Sequence, residues 1–173
     1  MVLKVSGAIL IILSSYIFGL YLSQKEKYRI QDLEELKKGL VLIKGEISFL
    51  ALPVFQAFKE ASKRTDGGIS ILFDFISTEF EEGRGEDSEI LWENAIDKGI
   101  QKTYLTKEDA KMLLSLGQSF GFMDKKQQQS NIDITLISID ERHKQLLERS
   151  KKGDKLYRSV SLLTGALIAV VLA

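Results

Sequence analysis

The stretch Val5–Leu22 (VSGAILIILSSYIFGLYL) constrains this chain more than any other, because its 18 residues carry no charge. As a helix rising ~1.5 Å per residue it covers most of a bilayer core of ~30 Å. Lys4 precedes it, and Lys25, Lys27 and Arg29 follow. A cleaved secretory signal needs a shorter apolar region and then small residues at a cleavage site. Here the run ends in Gly19-Leu20-Tyr21-Leu22-Ser23-Gln24, with no such site. A core helix of a soluble protein would show a polar face, and this stretch offers only Ser6, Ser14 and Ser15. The expectation is therefore an uncleaved transmembrane helix, with Tyr16, Phe18 and Tyr21 gathered toward the interface.

The rest of the chain reads as helical. A single proline, Pro53, leaves long helices uninterrupted, and no Asn-Gly hairpin signal separates alternating strands. Leu33, Leu36, Leu40, Ile43, Ile47 and Leu50 recur at three- and four-residue steps, an apolar seam short enough to favour a bundle over a coiled coil. Pro53 suits the first turn of a new helix, which Thr65-Asp66-Gly67-Gly68 stops. Ile69–Phe80 is amphipathic, and Gly83-Arg84-Gly85 breaks it. Asp87 or Ser88 can cap a helix bearing Ile90, Leu91, Trp92, Ala95 and Ile96. Thr106 and Asp109 form a weak capping-box pattern before Leu113 and Leu116. Asp124 can cap a last helix, whose seam runs through Ile132, Leu136, Ile139, His143 and Leu146.

That helix leads into a second apolar end. Val160–Ala173 alone is ~21 Å long, and adding Leu156 and Tyr157, with Arg158 snorkelling, gives ~27 Å. The expected layout is a transmembrane helix in residues 1–24, a helical domain in 25–155 and a short transmembrane helix in 156–173. Lys25, Lys27 and Arg29 lie beside one span, and Arg149, Lys151, Lys152, Lys155 and Arg158 beside the other. The positive-inside rule then puts the middle domain in the cytoplasm.

Reactive constellations are missing from the pattern. Without cysteine there is no disulfide framework and no thiolate ligand or nucleophile. His143 is the single histidine and falls on an apolar seam, so neither zinc chemistry nor a catalytic triad is expected. Gly67-Gly68 and Gly83-Arg84-Gly85 lack the lysine and hydroxyl of a phosphate-binding loop. Zero net charge and the lack of a basic stripe argue against nucleic acid. No catalytic, cofactor or metal residue is assigned. One charge feature stands out: residues 79–97 hold eight acids against Arg84 alone. Glu81, Glu82, Glu86, Asp87 and Glu89 are the candidate docking residues for a basic partner; the run could instead be a weak divalent-cation site, though without EF-hand spacing, and the bland alternative is solvated helix faces.

The order and spacing of several segments resemble a known family. They are Gly45-Glu46-Ile47-Ser48-Phe49, then Leu52-Pro53-Val54-Phe55-Gln56-Ala57-Phe58, then Trp92-Glu93-Asn94-Ala95. Leu116-Gly117-Gln118-Ser119-Phe120-Gly121, Asp124 and a terminal apolar helix complete the set. Together they resemble the stage III sporulation protein AB family of endospore-forming bacteria across almost the whole chain. A common pattern there is leucine-glycine-x-x-leucine-glycine-x-x-aspartate. Leu116, Gly117, Gly121 and Asp124 match it, while Phe120 replaces the second leucine. The family is similar to the cytoplasmic domain of the inner-membrane platform protein of type II secretion machines. The resemblance implies an all-α fold, an antiparallel six-helix bundle flanked by the two transmembrane helices. It also implies a non-catalytic role in a channel or secretion-like complex between mother cell and forespore. Its expected partners are a cytoplasmic secretion-type ATPase, other membrane channel components and, through self-association, further copies of itself. The expected location is the outer forespore membrane facing the mother cell. The competing reading is a membrane-anchored signalling or receptor module; a lipid-directed enzyme lacks any reactive set.

Overall fold

The computed structural model describes the backbone of residues 2–83, 87–117 and 125–172. Side chains are described for residues 24–83, 87–117 and 126–150, with Gly7, Ser14, Ile17, Tyr21 and Gly153. Among the described residues there are six helices and no strand: α1 (Val2–Phe49), α2 (Val54–Ser62), α3 (Gly67–Glu82), α4 (Ser88–Ile100), α5 (Lys107–Gly117) and α6 (Lys125–Leu172). Two compact units result, Arg29–Lys144 and a second made of Met1–Tyr28 with Gln145–Ala173. The runs read as spans, Val5–Leu22 and Leu156–Ala173, fall on α1 and, as far as Leu172, on α6, with nearly all their side chains and the whole of Ala173 outside the described residues. Among the described residues, no helix is long and apolar enough to cross a membrane.

The Arg29–Lys144 unit is built on the seam of α1. Leu33, Leu36, Leu40, Ile43 and Ile47 are buried, as their helical spacing predicts. Leu50 departs from the expectation and is exposed. The cause is local: α1 ends at Phe49, and Ala51 takes a positive φ of 51° that swings the chain off the seam. Phe49, the last residue of α1, is 89% exposed for the same reason. Gly39 sits where α1 meets the Phe73 ring, and a Cβ there would overlap it. Gly45 has open space around it and marks no close approach.

Pro53 precedes α2 with a φ of −54°, within the range its ring allows. Gly67, read as a stop, instead opens α3 in the left-handed region at φ 62°. The core rings meet edge to face. Phe58 lies 5.4 Å from Phe73 and 5.5 Å from Trp92, centroid to centroid. Phe80, half-buried, meets the other side of Trp92 at 6.4 Å. Such pairs add roughly 0.5–1.5 kcal/mol beyond their buried area.

Within this unit α6 runs antiparallel to α1. Glu34 meets His143, Lys37 meets Asp140 and Lys44 meets Asp133, so each step up α1 is a matching step down α6. Ile132 and Ile139 are buried, whereas Leu136 is only half-buried.

The two α1 glycines separate packing from propensity. Gly39→Ala should destabilise the chain by about 2 kcal/mol through overpacking against Phe73. Gly45→Ala should be neutral or stabilising by up to ~1 kcal/mol, since alanine favours the helix. Urea midpoints of the two variants check both signs.

Candidate docking groove between α4 and α5

The groove begins with how α4 and α5 start. Asp87 lies in extended backbone before α4, and its carboxylate accepts a hydrogen bond from the Glu89 N–H at 3.0 Å. Thr106 and Asp109 form the capping box at the head of α5. The Thr106 N–H and Oγ–H both donate to Asp109 Oδ2 at 2.8 Å, and the Asp109 N–H reaches Thr106 Oγ at 3.4 Å.

Asp109 does more than cap. Its side chain is fully buried, and two arginines distant in sequence converge on it. Arg29 of α1 donates through Nε to Oδ2 at 3.0 Å and through Nη2 to Oδ1 at 3.1 Å. Arg142 of α6 donates through Nη1 to Oδ1 at 3.0 Å. Burial pushes the Asp109 pKa upward, but the Thr106 hydrogen bonds and the Arg29 charge outweigh it and hold the pKa below the ordinary value. Asp32 on α1 behaves oppositely. Burial raises its pKa, and the Tyr104 N–H, its donor just before α5, only partly offsets that. The head of α5 is thus tied to α1 twice and to α6 once.

The tail of α5 is tied to α4. Trp92 donates its indole N–H to the Leu113 carbonyl at 2.9 Å. Gly117 lies against the same indole, so closely that a Cβ would overlap it. Leu116 is buried beside it. Two of the four family-pattern residues therefore have a packing role, and Gly121 and Asp124 lie outside the described residues.

Between α4 and α5 lies a groove of about 200 Å³, lined by Glu89, Trp92 and Glu93 on one wall and by Lys111, Leu114 and Ser115 on the other. The candidate acids divide. Glu81 and Glu82 are exposed at the end of α3, Glu86 lies outside the described residues, Asp87 is engaged as a cap, and Glu89 lines the groove. Glu79 pairs with Lys98. Glu81, Glu82, Glu89, Glu93 and Asp97 have no ion-pair partner among the described residues. The sequence reading did not single out Glu93, Lys111 or Ser115, because only the antiparallel return of α5 brings them to Glu89. His143 pairs with Glu34 at 2.9 Å rather than joining an acidic cluster. Among the described residues no group of side chains could hold a metal ion.

The family model described as Stage III sporulation protein AB matches residues 4–173. Stage III sporulation protein AB of Bacillus subtilis (strain 168) is 23% identical over 170 residues, covering 98% of this chain and 99% of its own. A solved structure of Stage III sporulation protein AB (SpoIIIAB) shares the fold at a TM-score of 0.65 and 21% identity, over 71% of this chain and 96% of that one.

Asp109→Asn should cost about 3 kcal/mol at pH 7, because it leaves two guanidinium groups facing a neutral amide. The folded pKa of Asp109 lies below its unfolded value. Its contribution is present above the ordinary carboxylate pKa and is lost as pH falls through the depressed value. The gap between wild type and variant in urea midpoint should therefore narrow on acidification. Asp32 has the reverse sign: its raised pKa makes the protonated form the favoured one, so stability is lost as pH rises through it. Asp32→Asn should accordingly gain on wild type as pH rises from 3 to 7.

Proposed function

The chain belongs to the stage III sporulation protein AB family, and from that premise we propose that it is a non-catalytic membrane platform component. It holds a helical bundle at the membrane and docks a cytoplasmic ATPase of a channel or secretion-like complex between mother cell and forespore. The two apolar ends, Val5–Leu22 and Leu156–Ala173, act as the spans, on the strength of their hydropathy and the basic residues beside them. The charge placement puts the bundle on the cytoplasmic side, and the family resemblance adds the outer forespore membrane, bundle toward the mother cell.

One observation carries the docking part. Glu81, Glu82, Glu89, Glu93 and Asp97 are exposed and without an ion-pair partner among the described residues, and Glu89 and Glu93 line the groove, while Glu35, Glu60, Glu79, Asp74, Asp133 and Asp140 are each matched to a lysine. An unpaired acidic face is a standing field for a basic surface, and complementary charge speeds encounter and sets orientation more than it adds affinity. Two walls of fixed helices around a groove give that field a shape. A signalling module remains the competing function, but nothing in the groove favours a small-molecule ligand over a protein surface.

Charge reversal tests this directly. Glu81→Lys, Glu82→Lys and Glu89→Lys together should reduce recovery of the secretion-type ATPase tenfold or more in a detergent pulldown from sporulating cells. The unfolding midpoint should stay unchanged. Full ATPase recovery with the triple variant would remove the acidic face from the reading, and no recovery with the wild type would remove the ATPase.

A further inference from the structure

A second surface lies on different elements and does not depend on the docking groove. On the outer side of the α1–α6 pair, Val41, Ile134 and Ile137 are 52%, 59% and 61% exposed. Val41 falls between Lys37 and Lys44 on α1, and Ile134 and Ile137 fall between Asp133 and Asp140 on α6. The three aliphatic side chains are thus bracketed by the two cross-helix ion pairs, Lys37 with Asp140 and Lys44 with Asp133. Because those charges cancel locally, the strip exerts little long-range pull on either a basic or an acidic partner.

The signs nevertheless carry a pattern. The flanking charges on α1 are basic (Lys37, Lys38, Lys44), and those on α6 are acidic (Asp133, Asp140, Glu141). One level further along the pair the order inverts, with Glu34 on α1 opposite His143 and Lys144 on α6. A two-fold axis parallel to the helices would lay α1 of one copy over α6 of another at the same levels. Opposite signs would then meet at every level, with Val41 of one copy over Ile137 of the other. A two-fold axis perpendicular to the helices would instead set α1 on α1 and bring Lys37, Lys38 and Lys44 against like charges. Isologous contacts need a self-complementary patch of this kind.

The geometry points to the α1–α6 face as a self-association surface, on which a second copy of this chain docks in a parallel-axis two-fold pair and closes a four-helix layer around Val41, Ile134 and Ile137. Three exposed aliphatic side chains give less than the ~800 Å² per partner typical of stable interfaces. The pair is therefore weak and suited to copies already concentrated side by side.

The chain has no cysteine, so single substitutions report without background. Two differently tagged full-length copies, one Val41→Cys and one Ile137→Cys, would be coexpressed and mildly oxidised in cells. The expected result is a mixed 41–137 disulfide dimer, at least tenfold above either variant oxidised alone. Adding Ile134→Asp to both copies should cut that yield severalfold at equal expression. Asn94→Cys on α4, paired with Ile137→Cys, serves as the exposed control. A mixed dimer no more abundant than this control would overturn the proposal. So would a dominant 41–41 or 137–137 dimer, which requires a different axis, or capture of another protein at both positions in place of a second copy.

Discussion

The carboxylate of Asp109 is the point on which the Arg29–Lys144 unit depends. It is fully buried, and an ion of that size in a protein interior costs several kcal/mol unless its lone pairs are met. Five donors meet them: two from Arg29, one from Arg142 and two from Thr106. They come from α1, from α6 and from the residue that begins α5. A hydrophobic side chain could fill the same space, yet it would not select one rotation of α5 about its axis. Directional donors from three elements do select it, so specificity of arrangement is the more defensible account of this network than net stability. The arginines are only partly buried, which keeps their own desolvation small while the aspartate remains dry.

From that fixed head, α5 returns along α4, and the groove follows. Trp92 is held along the pyrrole edge of its indole, by the N–H bond to Leu113 and by the close backbone of Gly117. The same ring packs against Phe58 and Phe80, which joins the groove wall to the core of α2 and α3. The floor of the groove is therefore part of the core, and its rim carries the exposed charges of Glu89, Glu93 and Lys111.

Much of this was readable from the residues alone. The seam Leu33–Ile47 obeys helical spacing and is buried, whereas Leu136 on the α6 seam is only half-buried. The Thr106–Asp109 capping box and the Asp87 cap were legible because each is a local pattern of two or three residues. Leu50 was misplaced because periodicity cannot report where a helix stops, and Ala51 in the left-handed region carries no sequence mark. The Arg29–Asp109–Arg142 convergence was invisible for a related reason. Its members lie 80 and 33 residues apart, and each alone resembles an ordinary surface charge. The acidic run showed where carboxylates were dense, but only the fold separates a cap such as Asp87 from a groove rim such as Glu89.

The two surfaces assigned here differ in how their charges are used, and that difference has consequences for assembly. At the α4–α5 groove the carboxylates are unpaired, so their field extends roughly a Debye length, ~8 Å at physiological salt, and weakens as salt rises. At the α1–α6 face the charges are neutralised within the chain before any partner arrives, so attraction is short-ranged and rests on three aliphatic side chains. A partner carrying a basic patch would thus be drawn to the groove from a distance, while a second copy would engage the other face only once proximity had been supplied. On the proposed reading the apolar ends supply it: confinement to a membrane raises the local concentration of copies without any new contact. On that reading the chain contributes to a larger machine through order of assembly, neighbours associating weakly through one face and the charged partner arriving at the other.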